Sequence, residues 1–303
     1  SLGSWLLYGL GTENQNLPGF VTLNPPSRVG GAQNYGSAFL PAIYQGTRIG
    51  NLGQSLKSVQ LPNLGNDRLD ATAQRRQLDY IQSLNRDLKS RNEASAQIDG
   101  VIESYELAFR MQSALPEVMS LKGEKQSTLE AYGIGGGGTD NFGHQCLLAR
   151  RMVESGVRFV EISHANWDQH KGLRARLGAN CKATDQPMAA LLKDLEERGL
   201  LEDTIVMWGG EFGRTPHVKK QDGRDHNASG FSFWLAGGGV KGGQVIGATD
   251  AHGEVPTDTP VRPEDVAHSM LKLLGVNPNR QYTAPGGRPL KILEKGKMIP
   301  GLT

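Results

Sequence analysis

Two stretches of the chain, "SHANWDQH" (163–170) and "WGGEFGRTPHVKKQDGRDH" (208–226), gather residues able to do chemistry. Between them they offer His164, Asp168, His170, Glu211, Asp225 and His226. Imidazole and carboxylate are the donor set of zinc, manganese and related divalent metals. Two such loops can supply a shell around one ion, or part of a shell around two. Arg214 adds a planar guanidinium, which matches the paired acceptor oxygens of an oxyanion such as phosphate or sulfate. The glycines beside it let backbone approach a ligand closely. A plainer reading uses the same residues. A loop histidine is often only solvated or hydrogen-bonded, Asp168 can cap a turn, and Arg214 can pair with Glu211. Neither Gly-x-Ser-x-Gly nor His-Glu-x-x-His occurs. The run Gly-Ile-Gly-Gly-Gly-Gly (133–138) has no strand before it and no Gly-Lys-Ser/Thr after it, so it reads as a linker rather than a phosphate loop.

These loops need elements to hold them. Val157-Arg-Phe-Val-Glu-Ile162 and Thr204-Ile-Val-Met-Trp208 read as strands that run straight into the two polar stretches. Helices are expected from Phe142 to Ser155 behind an Asp140 cap, and from Pro187 to Arg198 behind Thr184 or Asp185. Another is expected from Pro263 to Leu274. Ser4–Leu10 reads as a helix, and Phe20–Leu23, Phe231–Ala236 and Gln244–Ile246 read as strands. Alternating strands and helices predict a mainly parallel sheet covered on both faces. In such sheets ligands bind beyond the carboxyl ends of the strands, which puts both polar loops on one edge. Residues 66–122 differ. Leu69, Leu78, Ile81 and Leu84, then Ile98, Ile102, Tyr105, Phe109 and Met111, recur at roughly helical spacing, which predicts a hairpin of two helices joined near Arg91–Gln97. It would serve as a lid or as a cover for the core.

At 303 residues the chain can bury a sizeable core. Its 33 Lys and Arg nearly balance 31 Asp and Glu, so charge gives no reason to expect nucleic acid or an acidic membrane as partner. No apolar run approaches the roughly 18–20 residues that span a bilayer. Cys146 and Cys181 form no Cys-x-x-Cys motif, which leaves two core thiols or one disulfide. The chain starts without Met and without a signal peptide.

"SLGSWLLYGLGTENQNLPGFVTL" (1–23), "FLPAIYQGT" (39–47), "NWDQH" (166–170), "GGEFGRTP" (209–216) and "GRDH" (223–226) together resemble the sulfatase-like family catalogued as domain of unknown function 1501, within the alkaline phosphatase superfamily. The resemblance implies one α/β domain over 1–303, a three-layer α/β/α sandwich with the helical insertion at 66–122. It implies a metal-dependent hydrolase of phosphate or sulfate esters, on a small-molecule or polysaccharide substrate. By its motifs, Asp168, His170, Glu211 and His226 would be ligands to one or two divalent ions, zinc first, and Arg214 would hold the oxyanion. Phe212 stands where relatives carry a ligating His, and no Cys-x-Pro-Ser-Arg occurs. The family's first ligand loop and nucleophile region would precede this chain, making it a C-terminal portion. A non-catalytic cell-envelope or binding protein that keeps the fold is the alternative, and phosphomutase-type chemistry a third. Relatives often carry export signals, which implies a periplasmic or extracellular place.

Overall fold

The computed structural model describes residues 1–59, 65–66, 68–91, 95–218, 222–283 and 287–303. They form two compact units, Ser1–Thr128 with His144–His164, and Leu129–Gly143 with Ala165–Thr303. In chain order the first stretch supplies α1 (Leu2–Leu10), β1 (Phe20–Leu23), β2 (Thr47–Ile49), α2 (Ala71–Ser90) and α3 (Ser95–Met119). There follow α4 (Gln126–Ala131), α5 (Asp140–Glu154) and β3 (Phe159–Ile162).

The first unit is organised by β1, whose four residues are all buried. It pairs in parallel with β2 on one side and β3 on the other, Val21 lying opposite Thr47 and Val160. A strand buried at every residue is one covered on both faces, and only Thr22 in it is polar. Leu148 and Met152, one turn apart on α5, and Leu115 and Val118 on α3 complete its core with Val21, Leu23 and Ile49. α2 and α3 lie where helical periodicity predicts them. Asp70 caps α2 by accepting the Ala73 N–H at 2.7 Å. The two helices are tied by Arg75–Glu106 (2.8 Å), by the Gln82 amide donating to the Ile102 carbonyl (2.8 Å) and by Lys89–Asp99 (2.6 Å). Of the expected joint at Arg91–Gln97, residues 92–94 lie outside the described residues.

The second unit carries α6 (Leu173–Glu197), β4 (Val206–Gly209), β5 (Gly213–Arg214), β6 (His226–Asn227), β7 (Phe233–Ala236), β8 (Ala248–Thr249), β9 (Pro256–Asp258), α7 (Pro263–Leu273), β10 (Gln281–Thr283) and β11 (Pro289–Lys291). Its described strands pair only two by two and antiparallel: β4 with β7, β5 with β6, β8 with β9, β10 with β11. Val266, Met270, Ile299 and Leu302 form its apolar centre, with Ile205, Phe233 and Leu235 packed on it.

This corrects the expected architecture. The protein is not a three-layer α/β/α sandwich around a mainly parallel sheet: helix predominates, and parallel pairing among the described residues stops at β2-β1-β3. The reason is visible in β4. A central strand of a covered sheet must be buried on both faces, yet Met207 is 46% exposed and Gly209 is exposed as well. β4 is therefore a half-buried strand, and its partner is the antiparallel β7. Smaller corrections follow the same logic. α6 begins at Leu173 and runs through Pro187, because Pro187 is buried and tertiary packing outweighs the lost hydrogen bond. Thr184 is no cap; it is buried within α6 and its hydroxyl donates to the Asn180 carbonyl at 3.0 Å. Gln244–Ile246 is not a strand, and the pairing falls on Ala248–Thr249 instead. Cys146 is buried and Cys181 exposed, both as free thiols. Burial pushes the Cys146 thiol well up, which keeps it unreactive.

α7 shows how a single carboxylate fixes an element. Asp265 accepts the Arg262 N–H (3.0 Å) at the helix start and the Lys297 N–H (2.9 Å) from the C-terminal segment. Burial opposes its ionisation, but those two N–H donors and the nearby Lys297 and Arg262 charges outweigh it. The carboxyl is held below its ordinary range. A depressed native pKa stabilises above the unfolded value, near 3.9, and that contribution is lost as pH falls through the native one. Asp265→Ala is expected to cost about 1–2 kcal/mol at neutral pH, since a cap and a buried N–H partner are lost together. Urea melts should show the gap between the two proteins narrowing in acid; a gap independent of pH would remove the carboxylate from the explanation.

Candidate metal centre

The site lies wholly in the second unit and is built from two loops that bond to one another. The first, Ala165–Gly172, turns at Asn166, which has a positive φ of 72°. The Asn180 amide, from α6, donates to the Asn166 carbonyl at 2.8 Å, and so does that of buried Gln169 at 2.9 Å. The second loop ends in Asp222-Gly-Arg-Asp-His226. Its Arg224 N–H donates to the Gln169 carbonyl (3.1 Å), and its Asp222 carbonyl accepts the Leu173 N–H (2.7 Å). Gly223 lies against this seam. A Cβ there would stand 1.9 Å from the His170 carbonyl oxygen, so any side chain at 223 would push His170 away. Residues 219–221 of the second stretch lie outside the described residues.

The β5–β6 ladder then sets the far side. Arg214 and His226 face each other across it. Both reach Asp168: the Arg214 Nη1 donates to Asp168 Oδ1 at 2.7 Å, and His226 Nε2 lies 3.1 Å from the same oxygen. His170 Nε2 lies 3.0 Å from it. Asp168, His170 and His226 thus bring one ligand atom each within 4.8 Å of one another, and among the described residues no other such group of His, Cys, Asp and Glu occurs. All three are exposed. The Arg214 hydrogen bond first, and that of His226 second, hold the Asp168 carboxyl below its ordinary range. It is therefore ionised, as a ligand must be, to lower pH than a free aspartate.

The donor set fits a small transition metal. A tetrahedral ion with bonds near 2.0–2.1 Å spaces its ligand atoms about 3.3–3.4 Å apart. The two contacts on Asp168, 3.0 and 3.1 Å, are within a few tenths of an ångström of that. All three side chains are exposed, so an ion held by them would be open to solvent.

Of the residues singled out in the sequence, Asp168, His170 and His226 come together and Arg214 touches them. Glu211 is not in the group. The guanidinium of Arg214 lies over the Phe212 ring (5.6 Å), and that ring packs on His226 (4.3 Å between centroids). Phe212 and Arg214 therefore share the side that faces His226. Phe212, which cannot ligate, is thus a wall for His226, a role with no sequence signal beyond its two-residue spacing from Arg214. His164 is the last residue of the first unit. Asp225 stands behind His170, with Nδ1 of that ring 3.8 Å from its Oδ1.

The expectation of a phosphate- or sulfate-ester hydrolase of the sulfatase type is corrected along with the fold on which it depended. In that architecture a wide parallel sheet gathers the ligands at its strand ends. Here they sit on two cross-bonded loops and a two-residue ladder in a mostly helical protein. The alternative of a binding protein that keeps the sandwich is corrected for the same reason. No helix of the described residues is long and apolar enough to cross a membrane. No curated protein and no solved structure matches the chain. Over residues 1–303 the sequence does match the family model described as protein of unknown function (DUF1501), and the chain belongs to that family.

Proposed function

We propose that the second unit binds one divalent transition-metal ion through Asp168 Oδ1, His170 Nε2 and His226 Nε2, with zinc the best match to two imidazoles and a carboxylate. The observation that carries this is the convergence of those three ligand atoms within 4.8 Å. Bound there, the ion would serve as a Lewis acid with a coordination position open to a ligand from solution. The protein's own part is to hold two histidines and an ionised carboxylate in place through the seam between the loops. Arg214 supports the same carboxylate and keeps a cation beside the open face.

One observation favours a second reading. Asp168 Oδ1 has three nitrogen neighbours at hydrogen-bonding distance, from Arg214, His170 and His226. That cluster could tie the loops together by hydrogen bonds alone. Calorimetric titration of the chelator-dialysed chain with Zn²⁺ separates the two. Saturation at about one ion per chain is expected for a three-ligand centre. No saturable binding would leave the hydrogen-bonded tie as the role of these residues.

A further inference from the structure

The two ring nitrogens of His170 face two different carboxylates. Nε2 is 3.0 Å from Asp168 Oδ1, and Nδ1 is 3.8 Å from Asp225 Oδ1. A neutral imidazole carries one N–H and one lone pair. To bind an ion through Nε2, His170 must keep its proton on Nδ1, and a carboxylate on that side favours this tautomer and raises the basicity of the ligating nitrogen.

Asp225 is held firmly enough to do so. Its backbone N–H donates to the Thr215 hydroxyl (3.0 Å) and its carbonyl accepts the Thr215 N–H (3.0 Å). Its Oδ1 also accepts the N–H of His226 (2.9 Å). The same carboxylate oxygen therefore braces the backbone of one candidate ligand and faces the ring of another. The 3.8 Å gap exceeds a hydrogen bond of about 2.7–3.2 Å. Metal binding through Nε2 would require the half-exposed His170 ring to turn off Asp168, and the same turn must bring Nδ1 onto Asp225.

We infer that Asp225 is a positioning residue of the metal centre: its carboxylate orients His170 through Nδ1 and selects the tautomer that leaves Nε2 free to ligate. This rests on the proposed metal binding. It separates Asp225 from the ligands themselves and assigns the Asp225-His226 pair two different tasks.

The test uses the full chain with Zn²⁺ and Co²⁺ as probes, in wild type, Asp225→Asn and Asp225→Glu. Asparagine keeps the shape and still accepts the His226 N–H, but loses the charge. Competition against a chelator should show Asp225→Asn binding either ion about 10–100-fold more weakly, the usual effect of losing such an outer partner. The visible spectrum of its Co²⁺ form should change, because the imidazole donor is altered. Asp225→Glu, with the charge on a longer arm, should recover part of the affinity. Equal affinity and an unchanged Co²⁺ spectrum in Asp225→Asn would overturn the inference while leaving metal binding intact. Equal losses in Asp225→Asn and Asp225→Glu would overturn it too, pointing to shape rather than charge. If wild type binds neither ion, the metal reading itself fails, and this inference with it.

Discussion

Replacing His226 by alanine is expected to weaken metal binding by about a hundredfold or more while leaving the fold in place. The magnitude follows from the ligand count. Structural zinc sites are worth about 10–16 kcal/mol over four ligands, so one ligand accounts for roughly 3 kcal/mol, and each 1.4 kcal/mol is about a factor of ten. His226 is also the residue on which most of the site's contacts converge. Its Nε2 touches Asp168, its ring packs on Phe212 and lies 4.9 Å from the His170 ring, and its backbone pairs with Arg214. The side chain is nevertheless 45% exposed. Exposed substitutions usually stay within about 0.5 kcal/mol, so the thermal melt of the variant in chelator should overlay that of wild type. At one Zn²⁺ concentration the melting temperature of wild type should rise more than that of His226→Ala, since stabilisation grows with the ratio of free ion to Kd. Equal Zn²⁺ affinity in the two proteins would remove His226 from the ligand set. A lower melting temperature in chelator would show that the ring is needed for packing even without metal.

Phe20–Leu23 was legible as a strand because a short run of apolar and β-branched residues, ended by Asn24-Pro25-Pro26, suits a strand. α2 and α3 were legible because their periodicity extends over many turns. Asp168, His170 and His226 were legible because short loops carried more imidazole and carboxylate than turns need. Pairing was not legible. β5 and β6 are two residues each, with no periodic signal, yet their register is what sets Arg214 opposite His226. The exposure of Met207, which makes β4 a half-buried strand, depends on what packs above it and not on the local run Thr204–Trp208. Parallel order was inferred from alternating elements, a rule that assumes strands neighbouring in sequence join one sheet. β3 and β4 do not: β3 pairs with β1, and β4 with β7.

Glu124→Ala is expected to destabilise the first unit by about 3–5 kcal/mol. Glu124 is 7% exposed, and its Oε1 sits 2.8 Å from the guanidinium of Arg150, itself 2% exposed. The same oxygen accepts the Nη1 of Arg151. Arg150 also reaches Glu154 at 2.7 Å, but that carboxylate is 41% exposed and shares its charge with water. Removing Glu124 would therefore take the buried carboxylate away from a guanidinium that is itself buried, leaving its pairing with Glu154 half in water. The cost arises from a buried charge deprived of its buried counter-charge and not from the net worth of the pair. This distinguishes the site from the exposed pair Arg91–Asp87, where the loss of either partner should cost no more than about 1 kcal/mol. The comparison is best made by guanidinium denaturation of Glu124→Ala, Glu124→Gln and Asp87→Ala side by side. Glutamine keeps an acceptor for one guanidinium N–H and should fall between the other two. If Glu124→Ala costs no more than Asp87→Ala, water must reach Arg150 in the native state. The cluster would then be a surface network and not the buried anchor of α5.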